Sequence, residues 1–255
     1  MTRLPRTEIL DKSKYFHILT CGLVRENVFK EDNLKRFYVN AMAEKAADMG
    51  VSVLAYVVMD NHSHLVVTAE DANVVPEFMR RLNTTYAKFF NRIKNRSGYV
   101  FKGRYDSEPL LTAEQVESCI TFVHNNPCAA GVELFSADYP FSSAKSYMFG
   151  EGIADVEAVK KLFGEVPELT SYQKEKYDFL EQKPNEDCDT VLMELIQKFR
   201  ITDKYALQDP EILKAAIYEL QSRCGVSLRD VAVLLGIDRE KIRRTALKMK
   251  EQKAL

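Results

Sequence analysis

Cysteine is sparse and unpaired in this chain. Cys21, Cys119, Cys128, Cys188 and Cys224 form an odd, scattered set of five with no C-x-x-C spacing. That pattern argues against a zinc ribbon or a disulfide framework, and the expectation is reduced thiols in the cytoplasm. No apolar run approaches the roughly 20 residues of a membrane span, so no membrane partner is expected. The opening residues, Met1 to Arg6, lack the apolar core of a signal peptide. Internal repeats and low-complexity tracts are missing as well. So is an overall charge imbalance: the net charge is −1, which by itself says nothing about nucleic acid.

What is present reads as a soluble globular protein, with 46% hydrophobic and 29% charged residues. At 255 residues there is room for one large domain, or for a domain with a smaller companion. The charge is segregated along the chain. Phe78 to Tyr105 holds eight Lys or Arg and no Asp or Glu; Glu151 to Asp189 holds eleven acids against five bases; Ser222 to Lys250 holds eight bases against three acids. Two basic regions flank an acidic one, which gives two candidate phosphate-binding surfaces.

Periodicity gives the architecture. Tyr15 to Leu19 is a short strand. Glu31 to Met49 has helical spacing at Leu34, Phe37, Tyr38, Met42 and Ala46, with Gly50 to end it. Val51 to Met59 and His62 to Thr68 are strands joined by Asp60-Asn61, which is turn chemistry. Val74 to Lys94 is a helix, Leu110-Leu111 a short strand. Thr112 opens a further helix with Gln115 in capping-box position, and Pro127 is expected to stop that helix. The order strand, helix, strand, strand, helix, strand, helix is the split βαβ pattern. It predicts an α+β domain over residues 1–150, a ferredoxin-like antiparallel sheet with helices on one face. Residues 151–189 read as an acidic linker with some helix. Residues 190–255 read as all-helical, ending in helix, turn (Gly236-Ile237-Asp238), helix, the helix-turn-helix signature.

Two of the four histidines stand one residue apart in Met59-Asp60-Asn61-His62-Ser63-His64-Leu65. Side chains two apart on a strand share a face, so His62 and His64 aim at one point, as two metal ligands must. Two histidines beside a turn can equally have no shared role. Asn126 ends the helix begun at Thr112. Its amide oxygen is a hard donor that suits Mg²⁺ or Mn²⁺ beside imidazoles, although Asn-Asn-Pro is also ordinary helix-end punctuation. The basic stretch carries Arg81, Lys88, Arg92, Lys102 and Arg104 among Tyr86, Phe89, Phe90, Tyr99 and Phe101. Phosphate contacts interleaved with stacking platforms are how single strands are held; Phe89 and Phe90 also read as core. On the last helix Arg239, Lys241, Arg243 and Arg244 suit a duplex major groove.

Five stretches, in order over about residues 10–150, resemble the REP-associated tyrosine transposases and their insertion-sequence relatives, the single-tyrosine HUH enzymes. They are Tyr15-Phe16-His17-Ile18, Val58 to Leu65, Tyr86-Ala87-Lys88-Phe89-Phe90-Asn91, Gly98 to Tyr105, and Phe122 to Gly131. The resemblance implies a transposase that nicks and rejoins single-stranded or hairpin DNA. A divalent metal, Mg²⁺ or Mn²⁺, would sit on His62, His64 and Asn126, and a tyrosine would form a 5′-phosphotyrosine link. Two departures stand out. Ser63 replaces the bulky apolar residue between the histidines. Phe122 occupies the place of the nucleophilic tyrosine, four residues before Asn126. A non-cleaving, domesticated DNA-binding regulator is therefore the rival reading. Another tyrosine, such as Tyr105 or Tyr99, or a water-using hydrolase with Asp60 as base, are lesser ones.

Overall fold

The computed structural model describes residues 13–23, 27–150, 152–165, 178–181, 187–201 and 206–252. The chain divides into two compact units, Met1–Gln182 and Lys183–Leu255.

The first unit is built on β1 (Tyr15–Cys21), α1 (Asp32–Met49), β2 (Val51–Val58), β3 (His62–Ala69), α2 (Val74–Ile93), β4 (Asp106–Leu110) and α3 (Ala113–Ala129). The strands form one antiparallel sheet in the order β2-β3-β1-β4, the ferredoxin-like arrangement that the element order predicts. β2 is largely apolar on both faces, and β2 and β3 are buried almost throughout, so the sheet needs cover on both sides. α1 and α2 lie on one face. There Tyr38 of α1 and Tyr86 of α2 meet edge to face at 5.2 Å, with Phe29 against both. α3 lies on the other face, over the histidines. The ferredoxin-like helix pair thus shares one face, and the third helix caps the opposite one.

Local chemistry sets the element ends. Gly50 adopts φ 65°, a left-handed conformation in which its N–H bonds Ala46 O and closes α1. β4 begins earlier than the Leu110-Leu111 pair suggests. It tolerates Pro109 because it is an edge strand, where the missing N–H has no ladder partner to disappoint. Thr112 caps α3 by accepting from Gln115 N at 3.1 Å, while the Gln115 side chain accepts from Leu111 N at 2.8 Å. Pro127 does not stop α3: the helix runs on to Ala129, and the N–H groups of Ala130 and Val132 close on Asn126 O and Pro127 O. A proline in the last turn leaves few later hydrogen bonds to break.

Beyond α3, α4 (Ala144–Phe149) and α5 (Val156–Phe163) also belong to the first unit. α5 falls inside the stretch expected as linker. Its Val159 is fully buried, and Asp155, which caps it, bonds back to Ser52 and to Val53 O. Burial of this helix carries the first unit past residue 150. Residues 166–177 and 182–186 of the expected linker lie outside the described residues.

The second unit packs α6 (Cys188–Phe199), α7 (Pro210–Arg223), α8 (Leu228–Leu235) and α9 (Arg239–Gln252). Val191, Leu195, Leu213, Ile217, Leu220, Val231, Leu235 and Ile242 form its core. α8 starts in a full capping box between Ser227 and Asp230. Gly236, at φ 63°, then makes the three-residue turn into α9, whose start Asp238 caps.

Candidate functional site

Strand register assembles the site. Leu19 of β1 pairs with His64 of β3, and His17 with Val66, so His17, His62 and His64 all project from the α3 face. His17 also lies directly opposite Glu108 of β4. α3 then lays Phe122 and Asn126, one helical turn apart, across the histidines. Asn126 Oδ1 is 3.4 Å from His62 Nε2. The Phe122 ring stands edge-on to His64 at 5.4 Å and to His17 at 5.7 Å.

Each imidazole has a distinct set of partners. His62 Nδ1 donates to Asn61 Oδ1 at 2.7 Å, which leaves its Nε2 as the bare nitrogen facing the Asn126 oxygen. Burial pushes the His62 pKa down to about 4, opposed in part by Asn126, so the ring is neutral at neutral pH. Burial, and then the neighbouring rings of His62 and His17, hold His64 well below the ordinary range too. His64 Nδ1 lies 2.9 Å from His17 Nε2. His64 Nε2 is buried and has no hydrogen-bond partner among the described residues. Two imidazoles held neutral by burial, their rings 4.9 Å apart, and an amide oxygen are thus grouped on one face. That donor set fits a divalent cation of the Mn²⁺ or Mg²⁺ kind. Among the described residues no three His, Cys, Asp or Glu side chains form a ligand set; the oxygen that faces His62 is the Asn126 amide.

The remaining sequence candidates are spread more widely. Lys102 N bonds Cys21 O, and Cys21 pairs with His62. Lys102 and Arg104, both exposed, thus stand at the histidine end of the sheet. Arg81, Lys88 and Arg92 are exposed on α2, the helix that covers the other face, and Arg81 is bonded to Glu77 at 2.8 Å. Of the interleaved aromatics, Tyr86, Phe90 and Phe101 are buried, and Phe89 stacks on Phe37 at 3.6 Å; Tyr99 alone is open to solvent, 86% exposed. Asp60 is held by Lys35 Nζ at 2.6 Å, in the turn. On α9, Glu240 pairs with both Arg243 and Arg244. Arg239 is exposed and Lys241 half-buried on the same helix.

Neither the spacing nor the motifs of the sequence single out His17 or Glu108 as a site residue. In the fold, Glu108 Oε1 is 2.6 Å from His17 Nδ1 and also accepts from Leu180 N at 2.9 Å. Phe179 packs on Phe122 and His17 at 5.5 and 5.9 Å. The alternation of His17 with Phe16 and Ile18 in β1 is the one local signal of its face; its partners come from strands far away in sequence. His124 points elsewhere, donating or accepting at Ser143 Oγ at 2.7 Å and meeting Tyr147 edge-on.

Comparison with known proteins agrees with this architecture. No curated protein matches the chain. A solved REP-associated tyrosine transposase, bound to a REP hairpin, is 14% identical with a TM-score of 0.50, over 71% of this chain and all of that one. That degree of likeness establishes the fold. A candidate transposase from Deinococcus radiodurans R1 is 17% identical over 36% of this chain and 75% of its own, with a TM-score of 0.31. Residues 11–126, which run from just before the sheet to the asparagine of the site, match the family described as Transposase IS200 like.

Proposed function

We propose that the first unit binds a single strand or hairpin of DNA. A backbone phosphate would lie against a divalent metal held by His62, His64 and Asn126, and Phe122 would leave the strand uncut. The observation that carries this reading is the grouping of the His62 and His64 rings with Asn126 Oδ1 beside the Phe122 ring, where His64 Nε2 has no hydrogen-bond partner among the described residues. A divalent ion bound there would supply stabilisation of charge on the phosphoryl oxygens. The chain's own residues do the rest. The imidazoles, kept neutral by burial, hold their lone pairs on the site. Lys102 and Arg104 flank the sheet end at which a strand would enter, with Tyr99 as an open stacking surface. The REP hairpin on the solved relative supports hairpin DNA as a substrate class.

Phe122 presents a ring where chemistry needs a hydroxyl. With tyrosine there, the phenolic oxygen would attack phosphorus and the P–O bond to the 3′ oxygen would break. That leaves a 5′-phosphotyrosine and a free 3′-OH, and strand transfer reverses the exchange with no outside energy source. The second unit is proposed as a duplex reader through Arg239, Lys241, Arg243 and Arg244 on α9, in the manner of a recognition helix.

The test is covalent capture. Phe122→Tyr, given Mn²⁺ and hairpin DNA, is expected to form a DNA adduct that survives denaturing electrophoresis, and Phe122→Tyr with His64→Ala is expected to form none. The protein with its own Phe122 should bind the hairpin and form no adduct. A Phe122→Tyr protein that binds hairpin DNA and metal yet yields no adduct would sink the reading of this site as a strand-transfer centre lacking its nucleophile. It would leave the regulator reading in its place.

A further inference from the structure

The donor set above depends on which nitrogen of His64 carries the proton, and the structure contains a device that decides it. Glu108, His17 and His64 form an unbroken line across three strands. Glu108 Oε1 to His17 Nδ1 is 2.6 Å, and His17 Nε2 to His64 Nδ1 is 2.9 Å. His17 and His64 are both fully buried, so neither ring faces bulk solvent. The line has a direction because one end is a carboxylate, which only accepts. His17 must then present N–H from Nδ1 to Glu108, and a neutral His17 is left with a lone pair on Nε2. That lone pair accepts from His64 Nδ1–H, and His64 Nε2 is left without a proton. This Nε2 is the buried nitrogen that has no partner among the described residues and lies on the face of His62 and Asn126. Glu108 is itself steadied: the same Oε1 accepts from the Leu180 backbone N–H at 2.9 Å, and Phe179 next to it closes over the His17 ring at 5.9 Å.

We propose that Glu108 and His17 are positioning residues, a two-step carboxylate–imidazole relay that sets the tautomer and ring orientation of His64 so that its Nε2 is a ready metal donor. The inference rests on the metal reading of the site proposed above. A ligating histidine commonly gives its second N–H to a carboxylate or carbonyl, which orients the ring and raises its basicity. Here a second histidine is interposed. The carboxylate sits near the surface, its side chain 24% exposed, while the His64 ring is fully buried. The strand geometry requires the interposition: Glu108 is on the edge strand β4, and β1 separates it from β3.

The experiment is Mn²⁺ titration of the full chain by calorimetry, with ¹⁵N imidazole spectra of the metal-free protein as a second readout. His17→Phe keeps the ring and removes the acceptor; Glu108→Leu removes the carboxylate; Glu108→Gln keeps an oxygen that accepts from His17. The expected result is a loss of Mn²⁺ affinity of about tenfold to a hundredfold for His17→Phe and Glu108→Leu. Glu108→Gln should stay within about threefold of the parent, a rescue that a merely space-filling role would not distinguish from leucine. His64 should appear as the Nδ1–H tautomer in the parent. Unchanged affinity in Glu108→Leu, or an Nε2–H tautomer at His64, overturns the relay. If His17→Phe fails to fold, the near-surface Glu108 pair decides alone. A parent chain that binds no Mn²⁺ removes the metal reading, and the tautomer of His64 then still tells whether the relay operates.

Discussion

Burial of titratable rings has a consequence at the scale of single residues. His124 of α3 is fully buried against Ser143 and Tyr147, and burial drives its pKa down to about 3. In the unfolded chain a histidine titrates near 6.5. Between those values the unfolded state holds a proton that the folded state refuses, so stability falls as pH drops from about 6.5 toward about 3 and is level above that window. At pH 4.5 His124 alone accounts for roughly 2–3 kcal/mol, and His62 adds to the loss over the part of the window above about 4. His124→Gln does not titrate. Urea unfolding at pH 7 and pH 4.5 should therefore show a loss of stability in the parent larger by about 2 kcal/mol than in the variant; equal losses would refute the assignment. Residue by residue, the site was half legible. His62 with His64, two apart on a strand, and Phe122 with Asn126, four apart on a helix, are linked by local periods, and such periods are written in the sequence. His17, Glu108 and Phe179 reach the same point through strand pairing and chain return, which no local pattern encodes. Ser63 is explained only by the fold: it faces α1, where its hydroxyl donates at 3.2 Å to the fully buried Tyr38, so a polar side chain replaces an apolar one because it has a buried phenol to satisfy.

The elements themselves were read well where a single face or cap defines them. β2, β3, α1 and α2 follow their hydrophobic periods, and α8 begins at its capping Ser227. The reading failed where a rule about one residue was outweighed by its neighbours. Pro127 sits too late in α3 to end it, and Pro109 costs β4 nothing at a sheet edge. The turn between α8 and α9 gives a clean test of element-level reasoning. A Cβ added at Gly236 would meet nothing within 4 Å, yet its φ of 63° lies in the left-handed region. Gly236→Ala should therefore cost only the conformational strain, about 1–2 kcal/mol, and lower the melting temperature of the second unit. Gly103 has equal room and no positive φ. Gly103→Ala should leave stability unchanged or raise it slightly, since it removes freedom from the unfolded chain alone. A matching loss at both positions would mean that packing, and not backbone conformation, dictates the glycines.

At the scale of the whole molecule, a net charge of −1 conceals where the cations are. Among the described residues no helix is long and apolar enough to cross a membrane. Affinity for a single strand falls with salt at a logarithmic slope of about 0.7 for each phosphate neutralised, and for a duplex at about 0.9. Position in the fold separates the cations. Lys102 and Arg104 stand by the histidine end of the sheet, whereas Arg81 lies on the opposite layer with Glu77 already bonded to it. Lys102→Ala and Arg104→Ala should each reduce the salt slope for hairpin binding by about 0.7, and Arg81→Ala should change it by much less. In the second unit, Arg239→Ala and Lys241→Ala should leave the hairpin slope alone and lower the duplex slope by about 0.9 each, if each unit binds its own DNA as proposed. The measurement is fluorescence anisotropy of labelled hairpin and duplex across a salt series, with the full chain in every case. Were Arg81→Ala to cost as much as Lys102→Ala, the strand would have to cross the α2 face, and the binding path drawn from the sheet end would be wrong.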